Sequence, residues 1–200
     1  MNSWFRRLFK LKKLFLEVEK KKDTKNFYNM IANSYDLLYG QEQIEKYKLT
    51  VKLGNIEFRG KLLDGGCGSG LFEETFKEKT KNCLIFGVDI SRKLLDKAKQ
   101  KTVNQPNVFL VCGDLDYLPF PPDMFDFCVV FTVLQNLPNP KLTLKEIKRV
   151  LKKEACLIAT YLKTKINLEE FRSLLQKVGL KGKILDKQKV NEYIAIYRNS

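Results

Sequence analysis

The chain has 200 residues, with 37 Lys and Arg against 23 Asp and Glu, a formal charge of +14, five cysteines and no histidine. That length suits one domain with enough interior to fold unaided. Without histidine or a C-x-x-C pair the usual zinc sites have no ligands, so no metal is expected. The longest apolar run, FDFCVVFTVLQNL, is broken by Asp126, Gln135 and Asn136 and is too short to span a bilayer.

Seven of the basic residues are arginine and the rest lysine, spread over every expected helix, which suits solvated faces better than a nucleic-acid surface built on arginine forks. Cys67, Cys83, Cys112, Cys128 and Cys156 fall at a glycine turn or inside expected strands. They read as buried structural thiols in a reducing, cytoplasmic setting.

Residues 1–22 read as a basic amphipathic helix. Trp4, Leu8, Leu11, Phe15 and Val18 recur at steps of four and three, with Arg6, Arg7, Lys10 and Lys13 on other faces. The leading expectation is a stripe docked on the domain, followed by contact with an anionic membrane and then by organelle targeting. The interleaved lysines exclude a secretory segment, and Glu17 and Glu19 speak against a transit peptide.

Residues 23–55 read as a helical cap. Asp23 can cap a second helix, with Phe27, Ile31, Tyr35 and Leu38 on one face and Gly40 as its stop. A third helix then runs from Gln41 to Leu53, with Gly54 behind it.

Residues 56–200 form the main domain and open on LLDGGCGSG, residues 62–70. Apolar residues run into Asp64, glycines follow at 66, 68 and 70, and LFEETFKEK continues as a helix. A buried strand thus turns tightly into a helix N-terminus, which is a cradle for a carboxylate or phosphate. The spacing is G-x-G-x-G, not the dinucleotide G-x-G-x-x-G, and no P-loop Lys-Ser/Thr pair follows.

Strand 83–89 ends on Asp89, and after strand 107–112 Asp114 stands just past Gly113. Strand 125–131 and a helix from Asn139-Pro140 follow, then strand 155–161 and a helix from Asn167 with Glu170 in a near capping box. Gly179 ends that helix. Residues 182–186 and 190–197 form a close, hence antiparallel, pair around Asp186, Lys187, Gln188 and Lys189. The fold expected is α/β: a doubly wound, Rossmann-like sheet of seven mostly parallel strands with an antiparallel C-terminal strand and an N-terminal helical cap.

The glycine turn and three strand-end acids together resemble class I S-adenosylmethionine-dependent methyltransferases, nearest the methyltransferase-domain branch similar to ubiquinone- and menaquinone-biosynthesis enzymes. The resemblance spans roughly residues 27–160 by motif. It implies S-adenosyl-L-methionine as cofactor, with its carboxylate at the unpaired amides of Gly66, Cys67 and Gly68, beside Gly65. It also implies that Asp64 serves the ammonium directly or through water, Asp89 the ribose hydroxyls, Ile90 and Leu115 the adenine faces, and Asp114 its amino group. Tyr35, of the pair Tyr35-Asp36, is implied to lie over the methionine end.

For the acceptor pocket the resemblance points to Tyr28, Tyr39, Thr132, Gln135, Asn136 and Tyr161. Many relatives carry a histidine-rich turn where this chain has Gln135 and Asn136, so no catalytic base is assigned. The N-P-P-[YF] signature of amide and exocyclic-amine methylation is absent as well. A small-molecule acceptor is the leading expectation. The alternatives are RNA or protein methylation, a non-catalytic cofactor-binding regulatory subunit that works with an activator or other partner, and a nicotinamide oxidoreductase.

Overall fold

The computed structural model describes residues 3–188 and 190–199. Met1, Asn2, Ser200 and Lys189 of the expected C-terminal turn lie outside the described residues, as do the side chains of Ser3 and residues 5–10. Two helices lead the chain, α1 (Ser3–Ile31) and α2 (Tyr35–Gly54). Strands and helices then alternate as β1 (Gly60–Gly65), α3 (Leu71–Thr80), β2 (Cys83–Asp89), α4 (Arg92–Lys101), β3 (Val108–Cys112) and β4 (Phe125–Val130). The rest is α5 (Pro140–Val150), β5 (Leu151–Leu162), α6 (Leu168–Gln176), β6 (Leu180–Leu185) and β7 (Glu192–Asn199).

All seven strands join one sheet in the order β3-β2-β1-β4-β5-β7-β6. The pairs from β3 through β5 are parallel, and β7 runs antiparallel to both β5 and β6. The doubly wound, mostly parallel sheet expected from the sequence is therefore present. Strand order reverses beside β1, so a crevice opens at the carboxyl ends of β1 and β4, where open α/β sheets bind ligands.

Alternation along the strands feeds a core on each face of the sheet. Leu63, Cys128, Val130 and Leu157 pack with Leu144 and Ile147 of α5 and Phe171 and Leu175 of α6. Leu62, Ile85, Val129 and Ile158 pack on the other face with Tyr47 of α2 and Phe72 and Phe76 of α3. Ser91 caps α4 by accepting from the Leu94 amide at 3.2 Å. Asn167 and Glu170 complete a capping box on α6.

Four local expectations are corrected. α1 runs unbroken through the 22/23 boundary, so Asp23 sits inside a helix and caps nothing; no Gly or Pro in residues 19–26 interrupts it. The apolar stripe of α1 is not docked: Trp4, Leu11, Phe15 and Val18 are more than half exposed. Nor does Gly40 stop a helix. It lies inside α2, buried where a Cβ would come within 3.9 Å of Leu71, and Asn55 in the left-handed conformation ends that helix instead. Of the five thiols, all free, Cys112 is exposed rather than buried because β3 is the sheet's edge strand.

Candidate functional site

The turn after β1 holds Gly66, Gly68 and Gly70 at φ +81, +56 and +79, a region that side chains other than glycine's rarely enter. A Cβ at Gly66 would collide with Val133, and one at Gly70 would lie 2.9 Å from the Ala98 Cα. The backbone needs glycine at both points. The Gly66 and Cys67 amides donate to the Val88 carbonyl at 2.7 and 3.2 Å, and the Gly68 amide to Asp89 Oδ2 at 2.9 Å. These three amides are committed within the protein, which corrects the expectation that they stand unpaired. The cause is that the turn folds back onto the end of β2.

A cavity of roughly 700 Å³, counting its open mouth, lies at the carboxyl edge of the sheet. Its lining includes Gly66 and Gly68 from the turn, Asp89 and Ile90 after β2, and Asp114 and Leu115 after β3. Tyr35 of α2 closes one side, within 4 Å of where a Gly68 Cβ would stand. Of the remaining expected cofactor contacts, Asp64, Gly65 and Cys67 are not among the lining residues; Asp64 and Cys67 are buried behind the turn.

Among the acceptor candidates, Tyr28, Thr132 and Asn136 line the same cavity. Asn136 Nδ2 donates to the Tyr28 hydroxyl at 2.9 Å and to the Thr132 carbonyl at 3.0 Å. Tyr39 packs at a tilt beside Tyr35, with ring centres 5.3 Å apart. Gln135 is not brought to the cavity, and its amide atoms are buried with no hydrogen-bond partner among the described residues. Tyr161 packs on Phe171, 5.5 Å between centres, away from the lining.

Burial dominates the electrostatics. It raises the Asp89 carboxyl to about 6, against the lowering effect of bonds from Ser91, Gly68 and Ile90 amides. Behind the glycine turn Asp64 meets Glu73 of α3. Burial raises both, Asp64 well above the usual range and Glu73 to about 7. Among the described residues no hydrogen-bond donor from another residue reaches either Glu73 oxygen, so this carboxyl pair is at ease only with a proton held between its members. Burial likewise raises the Tyr28 and Tyr35 hydroxyls, keeping them neutral donors.

Three features carry no sequence motif. Lys21 of α1 lines the cavity and bridges Asp114 and Asp116 at 2.6 and 2.5 Å. Once α1 is continuous, the steps of three and four linking Lys21, Thr24 and Tyr28 put them on one face; that periodicity was the available signal. Glu73 is the second feature. The third is a buried ion pair, Lys46 to Glu192 at 2.5 Å, which also holds the Thr132 hydroxyl, 2.7 Å from Lys46 Nζ and 2.9 Å from Glu192 Oε1. Thr132 sits at φ +60, a strained conformation for a β-branched residue, over-determined here by its surroundings. Among the described residues, no three His, Cys, Asp or Glu side chains converge as a metal site would require.

Residues 63–159 match a family described as a methyltransferase domain. A demethylmenaquinone methyltransferase of Staphylococcus saprophyticus is 32% identical over 138 residues, 66% of this chain and 59% of the relative. The chain thus spans less than two thirds of the length of that relative. In solved structures, a SAM-dependent methyltransferase from Thermotoga maritima aligns with TM-score 0.70 at 20% identity, over 88% of this chain and 99% of that one. A magnesium protoporphyrin IX methyltransferase from Synechocystis, solved with bound SAM, aligns with TM-score 0.71 at 18% identity over 90% and 97%. At those identities the two structures establish the fold alone.

Proposed function

The chain carries a methyltransferase domain of the class I, Rossmann-like kind, and on that premise we propose that it transfers a methyl group from S-adenosyl-L-methionine to a small-molecule acceptor. One observation carries the reading. A single cavity joins the glycine turn and the strand-end carboxylates Asp89 and Asp114 to a separate polar group made of Tyr28, Thr132 and Asn136.

The residues present fit the cofactor. Asp89 offers acceptors for a diol, Ile90 and Leu115 offer apolar walls for a base, and Tyr35 stands 3.9 Å from where a Gly68 Cβ would be. When bound, the cofactor supplies a methyl group already activated on a sulfonium. The chain's own task is then alignment and exclusion of water. Tyr35 closes the methionine end, and Asn136 fixes the Tyr28 hydroxyl, which remains free to donate to an acceptor oxygen. Lys21 already holds Asp114, so an adenine amino group there must share or displace that ammonium.

The roof formed by α1 favours a small acceptor over RNA or a protein segment, since Lys20 and Thr24 bond the Leu137 and Asn136 carbonyls across the mouth. The staphylococcal relative is named for a quinone-type small molecule, which supports the same class. A cytoplasmic setting with free thiols belongs to the proposal. The test is incubation of the full chain with methyl-labelled cofactor and fractionated cell extract. Label in an organic-soluble small molecule is expected. Label in RNA or protein would change the acceptor class, and cofactor binding with no transfer in any fraction would indicate a non-catalytic subunit.

A further inference from the structure

We propose that α1 is a membrane-contact element whose outward apolar stripe enters the surface of an anionic bilayer while its lysines meet acidic headgroups. The helix is divided along its length. Lys21, Thr24 and Tyr28 face the domain and line the cavity. Trp4, Leu11 and Phe15, also at helical spacing, occupy a different face and are 68, 57 and 64% exposed, and Val18, 55% exposed, stands at its edge in a groove with Leu14, Ile90 and Tyr117.

A helix whose role is to pack on its own domain turns its apolar stripe inward. In α1 the cavity-facing stretch carries Lys21, Thr24 and Tyr28, whereas Trp4, Leu11 and Phe15 are left exposed. That arrangement needs an apolar environment outside the protein. Six exposed large apolar residues between Trp4 and Val18 form a band too extended for incidental surface exposure.

Charge identifies the occupant. Residues 1–22 carry eight Lys and Arg against two Glu, and Lys12, Lys13, Lys20 and Lys22 are exposed beside the stripe. Each such lysine gains on the order of 1 kcal/mol near an anionic lipid surface. Among the described residues no helix is long and apolar enough to cross a membrane, so the element lies in the interface plane. Trp4, with its amphipathic ring, is suited to that depth. Because the inner half of α1 rims the cavity, docking would bring the mouth close to the lipid. The inference does not depend on the cofactor reading.

Trp4 is the only tryptophan in the chain, so its emission reports this contact alone. The full chain is mixed with vesicles of phosphatidylcholine containing phosphatidylglycerol, and in parallel with pure phosphatidylcholine. The expected result is a blue-shifted Trp4 and flotation with the anionic vesicles, weakened by high salt, with little response to the neutral ones. Leu11→Glu combined with Phe15→Glu should lower partitioning about tenfold or more while leaving melting temperature and S-adenosylhomocysteine binding unchanged. Lys12→Glu with Lys13→Glu should weaken anionic binding alone. An unshifted Trp4 with no flotation, or equal binding by the Leu11/Phe15 double variant, overturns the proposal. So does a concentration-dependent shift without vesicles, which would make the occupant a second copy of the chain.

Discussion

Lys21 Nζ lies 2.6 Å from Asp114 Oδ2, so a lysine of the N-terminal helix already holds the carboxylate that the third parallel strand delivers to the cavity. The same ammonium bonds Asp116, which is itself held by the Thr143 hydroxyl. Burial opposes the charge on Lys21, but the two carboxylates outweigh it and its pKa is raised. The contact ties the roof to the floor of the site and competes with any ligand amino group for Asp114.

Lys21→Ala should therefore release the outer part of α1 and free Asp114. For a partly buried pair the effect is about 1 kcal/mol. S-adenosylhomocysteine affinity should rise several-fold, and amide exchange in α1 should accelerate. Weaker ligand binding with unchanged exchange would show instead that Lys21 belongs to the ligand site.

Glu73 supplies a pH-dependent prediction. Its folded pKa of about 7 lies above the 4.5 of an ordinary glutamate, so the folded state binds the extra proton. Its contribution to stability is complete below the unfolded pKa and is lost as pH rises through 7. Glu73→Gln removes the cost of charging while keeping a bond to Asp64. At pH 8 the variant should melt higher than the native chain, by an amount corresponding to roughly 2 to 3 kcal/mol, and the difference should shrink toward pH 5. A variant that melts lower at pH 8 would mean that Glu73 is charged and has a partner in the folded protein. Asp64 and Asp89, the Cys67 and Cys128 thiols, Tyr47 and Lys101 share this environment, so the variant-minus-native difference is the quantity to read.

The Lys46–Glu192 pair is almost wholly buried. Lys46→Met alone strands a carboxylate and should destabilise by about 3 to 5 kcal/mol in chemical denaturation, whereas Lys46→Met with Glu192→Leu should recover most of that loss. Equal instability in the single and double variants would show that the Thr132 loop, not the stranded charge, sets the cost.

Legibility from sequence followed the range of the interactions. The glycine turn, the strand-end acids and the capping box of Asn167 and Glu170 are local, and each was readable because backbone geometry demands its residue type. Strand alternation gave the sheet, and its short polar C-terminal turn gave the antiparallel pair. Gly40 misled because burial against Leu71, a contact between separate elements, overrode its low helix propensity. Lys21 and Lys46 were illegible because a charged residue on a helix looks solvated until the fold brings a partner from far along the chain, and Glu73 because its place on α3 looks solvated until that helix packs it against Asp64. The amides of Gly66, Cys67 and Gly68 were misjudged for the same reason, as their acceptors lie on β2.

The central claim is that Asp89, half-buried beside the glycine turn and bonded to the Gly68 and Ser91 amides, grips the cofactor's ribose. The most direct measurement is calorimetric titration of S-adenosylhomocysteine into the native chain and Asp89→Ala at pH 8, with circular dichroism to confirm both folds. The account predicts saturable one-site binding to the native chain and a loss on the order of 2 kcal/mol, about thirtyfold, in the variant. Equal affinity for both, or binding of NADH in place of S-adenosylhomocysteine, would contradict it.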